Sequence, residues 1–154
     1  MVTDKLTVRY EEDFNLWTEQ MVELLRARRF EELDIDNLLD ELESMSKRDK
    51  REIVRRLKLI LMHLLKWNYQ PSQQGASWET TIRNNREEIA QILQDSPSLD
   101  SYAATVLEQA YASARKNAAS KTGLLIDEFP ENCPFAIADV LNEDFLPSEI
   151  INNS

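Results

Sequence analysis

His63 and Cys133 are the single histidine and the single cysteine of a 154-residue chain, which narrows the chemistry open to it. A carboxylate-bridged di-iron centre needs a Glu-x-x-His motif on each of two helices. Here the residue three before His63 is Ile60, so neither motif exists. A facial triad of two histidines and a carboxylate fails for the same reason. One thiol makes neither an internal disulfide nor a multi-cysteine zinc site. Two routes remain for His63: acid–base work beside a carboxylate, or service to a Ser, Thr or Cys133 nucleophile. It stands between Met62 and Leu64 in an apolar run, and the plainer expectation is a core-edge histidine with one structural hydrogen bond. Cys133 precedes Pro134 at an expected helix start, which would favour a thiolate, although a lone cysteine there ordinarily fills space. Asp36, Asp40 and Glu43 share one side of a helix and would suit Mg2+, but an exposed acidic face is ordinarily just solvated. With only Gly75 and Gly123 in the chain, no Gly-rich phosphate or dinucleotide loop can form. No catalytic, cofactor-binding or metal-binding residue is assigned.

Binding surfaces are better represented. The chain carries a net charge of −10, yet residues 47–67 carry +6, and residues 1–46 and 124–154 carry −8 and −7. Arg48, Arg51, Arg55 and Lys58 form a basic stripe at helical spacing. It would serve an acidic patch on a protein partner, or be neutralised internally by the acidic segment before it or the acidic C-terminal segment. A nucleic-acid face is disfavoured, because a −10 protein repels a polyanion and no aromatics interleave the stripe. Trp67 ends one expected helix and Trp78 begins the next, with Tyr69, Pro71 and Gly75 in the loop between them. The two rings could line a shallow pocket, although tryptophans on apolar stripes, Trp17 included, ordinarily pack in the core. Ser77, Thr80 and Arg83 at the start of that next helix could hold an anion, or simply mark a capped end.

The elements that must position these groups follow from periodicity. Phe14, Trp17, Met21, Leu24 and Leu25 predict a helix from Tyr10 to about Arg29, with Glu11, Glu12 and Asp13 in its first turn. Asp34 caps a second, marked by Ile35, Leu38, Leu39, Leu42 and Met45. Ser46-Lys47-Arg48-Asp49 reads as a capping arrangement opening a third, with Ile53, Leu57, Ile60, Leu61, Leu64 and Trp67 inward. A loop over residues 68–76 precedes a fourth helix capped by Ser77. Pro97 starts a long fifth one that Gly123 closes. A short helix from about Pro134 to Leu141 lies in an otherwise irregular C-terminal segment. Two glycines are too few for repeated hairpins, so the fold class is all-α. The expectation is a single-domain bundle of about five main helices over residues 10–147, with tails at 1–9 and 148–154. The first residues lack an apolar signal sequence, the run Leu59–Leu65 is far short of the about 20 residues of a membrane span, and the lone cysteine suits a reducing compartment. Those features point to the cytoplasm.

Several segments in order resemble one bacterial, largely cyanobacterial family, domain of unknown function 29. They are Tyr10-x-x-Asp13-Phe14-x-x-Trp17, Leu33-Asp34-x-x-Asn37-Leu38, His63-Leu64-Leu65-Lys66-Trp67, Gln70-Pro71 and Trp78 with Ile82-Arg83. Further along come Asp95-Ser96-Pro97-Ser98-Leu99, Thr122-Gly123, Phe129-Pro130-Glu131-x-Cys133-Pro134-Phe135 and Asp144-Phe145-Leu146-Pro147. The resemblance implies an all-helical fold and no activity, and singles out His63, Trp67, Gln70, Pro71 and Trp78. The expected function is a non-catalytic protein-interaction or regulatory module, with a homo-oligomer left open. The alternatives are an enzyme around His63 and nearby carboxylates, or a nucleic-acid accessory protein using the basic helix. An enzyme needs His63 accessible beside a carboxylate; a module expects it packed.

Overall fold

Helix ends are set by a few side chains and by two residues with positive φ. In a computed structural model of the protein, residues 9–148 are described, so the expected tails at 1–9 and 148–154 fall outside it except for Arg9 and Ser148. Among the described residues the elements are α1 (Phe14–Arg26), α2 (Ile35–Tyr69), α3 (Ala76–Asp95), α4 (Asp100–Thr105), α5 (Leu107–Thr122) and α6 (Ile137–Leu141), joined by short 3-10 turns and without a strand. The chain divides into two compact units, one ending at Lys47 and the other starting at Arg48. The boundary falls inside α2.

In the first unit Asp13 is extended and its carboxylate accepts from the Leu16 amide at 3.0 Å. It is the N-cap of α1, so Glu11 and Glu12 precede the helix rather than lying in its first turn. Arg28 ends it at φ 58°. The Arg28 amide bonds Leu25 O at 3.1 Å and the Arg29 amide bonds Leu24 O at 2.9 Å, the crossed pair of a Schellman motif in which glycine is usual. Trp17 and Met21 are buried. The Trp17 indole donates to Asp34 at 3.0 Å, and the Asn37 amide donates to the same carboxylate at 2.7 Å. Tyr10 packs edge-on to Trp17 at 4.8 Å and donates its hydroxyl to Glu41.

The expected boundary at Ser46 does not exist. Residues 35–69 form one helix of 35 residues, without a glycine or proline inside it. A capping pair can end a helix only where something stops the preceding one; Ser and Asp inside a helix cost only tenths of a kcal/mol. The expected fifth helix is instead divided at Val106, and α3 starts from Gly75, with no side-chain cap, rather than from Ser77.

The core of the second unit joins Ile53, Leu57, Ile60, Leu61, Leu64 and Leu65 of α2 to Ile82 and Ile89 of α3 and to the small residues Ala103, Ala110, Ala114 and Ala118. The C-terminal segment packs onto it as expected, with Phe129, Phe135 and Val140 buried, although its helix begins at Ile137. Gly123 closes α5 at φ 77°. The two positive-φ positions give opposite expectations. Arg28→Gly should stabilise the protein by about 1 kcal/mol and Gly123→Ala should destabilise it by about as much, because only glycine occupies this region without strain. Chemical denaturation of both variants reads the signs; a destabilised Arg28→Gly contradicts the reading of α1's end.

Candidate functional site

α2 delivers His63, Lys66 and Trp67 within about one turn, and the start of α3 delivers Trp78. His63 is only 9% exposed. Its Nδ1–H donates to Leu59 O at 2.8 Å, since a carbonyl can only accept, and Trp78 closes on it edge-to-face at 6.5 Å. Burial holds the imidazole below its ordinary pKa; the bond to Leu59 opposes this, and Lys66 and Lys121 add to it. The Lys66 ammonium lies 4.6 Å from the Trp78 ring centre and is itself held low by burial and by Lys121. The charged groups that act on His63 are Lys66 and Lys121, and among the described residues it forms no ion pair with a carboxylate. This arrangement gives a neutral, packed imidazole whose Nδ1–H is held by a backbone carbonyl. Trp67 is half-buried, and its carbonyl accepts from the Gln74 side chain at 2.8 Å. Gln70 is half-buried before the exposed 3-10 turn that Pro71 begins. The family resemblance grouped Trp78 with His63; Lys66, three residues on, was readable as the same face, whereas Lys121 comes from α5 and left no local signal.

The basic stripe is paired in part, at Arg48 and Arg55, and not by the acids expected. Glu52 bonds Arg55 at 2.5 Å and Arg56 at 2.9 Å, and these partners, Arg55 first, hold its carboxyl below the usual range. Arg56 also donates to Asn85 at 3.0 Å and approaches Glu88 at 4.0 Å. Arg48 approaches Asp49 at 3.7 Å. Because α2 does not turn at Ser46, the acids come from the basic stretch itself and from α3. Arg51 stays exposed and Lys58 half-buried.

Arg86 was passed over in the sequence, although it sits four residues after Ile82 and three before Ile89 on the buried stripe. It is 4% exposed and donates to Val140 O at 2.7 Å and Asp139 O at 3.3 Å. Tyr111 donates to Pro130 O at 2.5 Å, and Arg115 donates to Phe129 O at 3.1 Å. Polar side chains from α3 and α5 thus hold the C-terminal backbone. Burial pushes the Cys133 thiol up to about 11, and α6 starts four residues later, so the expected route to a thiolate is closed.

Among the described residues no group of three His, Cys, Asp or Glu side chains is placed to hold a metal ion, and Asp36, Asp40 and Glu43 are exposed. No helix of the described residues is long and apolar enough to cross a membrane. A different surface emerges. Among the described residues, nine of the ten large apolar side chains left exposed lie between Phe14 and Met45, among them Ile35, Leu39, Leu42 and Met45. In the sequence these four only mark a helix, because spacing shows which residues share a face and not whether anything covers it.

No curated protein and no solved structure matches the chain. The model of the family described as domain of unknown function DUF29 matches residues 9–146, nearly all of the described residues. On that match, and consistent with the all-helical fold, the chain belongs to the DUF29 family.

Proposed function

We propose that this chain is a non-catalytic protein-interaction module that works in the cytoplasm. The observation that carries the reading is the run of exposed apolar side chains between Phe14 and Met45, of which Ile35, Leu39, Leu42 and Met45 share one face of α2, since an exposed apolar row of this kind marks a place where another molecule sits. The packing of His63, with a backbone carbonyl as its partner and cations around it, supports the same reading. The pairing of Arg55 and Arg56 with Glu52 leaves less free positive charge for a polyanion. A single cysteine whose thiol stays protonated suits a reducing compartment. Recovery of the tagged protein from its own host after crosslinking tests the proposal. A discrete partner in stoichiometric amount is expected, and recovery of the chain alone would refute it.

His63 supplies a separate check. His63→Ala should cost about 1–2 kcal/mol through lost packing against Trp78 and the lost bond to Leu59, and His63→Gln should cost less. The folded state disfavours the protonated ring, so it binds fewer protons than the unfolded state. The parent should therefore lose stability as pH falls below about 6.5, the ordinary value for histidine, and no such loss arises above it. His63→Gln should show a shallower decline between about pH 7 and 5.5 in thermal melts. A variant as stable as the parent, with an unchanged pH profile, would favour an exposed catalytic imidazole instead.

A further inference from the structure

We infer that the exposed row Ile35, Leu39, Leu42 and Met45 docks an amphipathic helix of a partner protein, one whose apolar stripe is bordered by Lys and Arg. The inference rests on the interaction-module reading and names the partner's chemistry. The four side chains recur at steps of four, three and three, which at 100° per residue places them within an arc of about 120° on α2. Each is 50–62% exposed. From Ile35 to Met45 the helix rises about 15 Å, enough for three turns of a partner laid along it through anchors at helical spacing.

Charge decides which helix fits. One border of the arc carries Asp36, Asp40 and Glu43, all exposed, at about 80–140° from Ile35 on the same wheel. Toward the opposite side the polar residues are already engaged, Glu41 by Tyr10 and Asn37 by Asp34. A helix seated on the row therefore meets free carboxylates along one flank. Lys or Arg there is attracted, while Asp or Glu is repelled. Residues 1–46 carry −8 in total, which extends that preference to the approach of the partner and disfavours an anionic lipid surface. A second copy seated on the same row would bring an identical carboxylate border to the joint.

The test uses the full chain and two dye-labelled synthetic peptides, an amphipathic Leu/Lys helix of about five turns and its Leu/Glu counterpart, read by fluorescence polarisation. Two variants at exposed positions accompany the parent: Leu39→Ser with Leu42→Ser, and Asp36→Asn with Asp40→Asn and Glu43→Gln. The parent should bind the Leu/Lys peptide in the micromolar range and ignore the Leu/Glu peptide. The serine variant should bind about tenfold more weakly, and the amide variant severalfold more weakly with a flatter salt dependence. Equal binding of the Leu/Glu peptide, absence of Leu/Lys binding, or unchanged binding by the serine variant would each overturn the inference. So would sedimentation showing a parent dimer that the serine variant abolishes, because the occupant would then be a second copy. None of these failures touches the crosslinking result, which alone decides the module reading.

Discussion

A Phe129→Ala chain is expected to lose about 3–5 kcal/mol of stability, a large part of the 5–15 kcal/mol typical of a domain. Phe129 is fully buried and meets Tyr69 edge-on at 4.9 Å, so truncation removes both transfer energy and an aromatic pair. Its neighbourhood cannot easily collapse into the space. The backbone on either side is held by hydrogen bonds, Arg115 to Phe129 O and Tyr111 to Pro130 O, and bonds of fixed length resist the shifts that would close a cavity. The melting temperature should fall by about 10 °C, followed by far-UV circular dichroism. A drop worth less than about 1 kcal/mol would mean that the C-terminal segment is not part of the cooperative unit.

Fold class was legible because its signals are local. Two glycines exclude a hairpin-rich sheet, apolar residues at three- and four-residue steps announce helices, and Gly123 adopts the left-handed cap that its position asks for. The errors concern where helices stop. Ser46 and Asp49 resemble a start signal, but α2 has no breaker ahead of them, and cooperativity carries the helix through. At Val106 the reverse happens: α4 and α5 separate with neither proline nor glycine to announce it.

Coverage was the harder half of the problem. On α2 the row Ile35, Leu39 and Leu42 and the row Ile53, Leu57 and Ile60 have the same phase, since 18 residues are five full turns. One row is buried and the other is bare. Nothing in the helix itself distinguishes them, because burial belongs to the elements packed against it. The same limit applies around His63. An apolar run made a packed ring readable, and the family resemblance set Trp78 beside it, whereas Lys121 acts from a helix more than fifty residues away.

Arg86 offers the second large expected effect, and it follows from charge rather than volume. Its guanidinium is buried, and burial lowers its affinity for the proton; the acceptors it has are the carbonyls of Val140 and Asp139. Those carbonyls lie at the end of α6, where backbone acceptors run out of amide donors; Asp139 O still accepts from the Asn142 amide at 3.2 Å, so it is at Val140 O that the side chain supplies what the short helix lacks. Arg86→Lys keeps the charge but offers one compact ammonium in place of a planar fork. It should lose one of the two bonds or lengthen both, and cost about 2 kcal/mol. Arg86→Ala strands the Val140 carbonyl, leaves Asp139 O with the Asn142 amide alone, and opens a cavity between Ile82 and Ile89, at about 3–4 kcal/mol. Because the interaction is out of water, the cost should be nearly the same at about 0.05 M and 0.5 M salt, unlike that of an exposed pair such as Arg48 with Asp49. Urea denaturation of both variants at the two salt concentrations supplies the numbers. If Lys and Ala both fall within about 0.5 kcal/mol of the parent, Arg86 does not hold the C-terminal segment, and the stability of that segment must come from Phe129, Phe135 and Val140 alone.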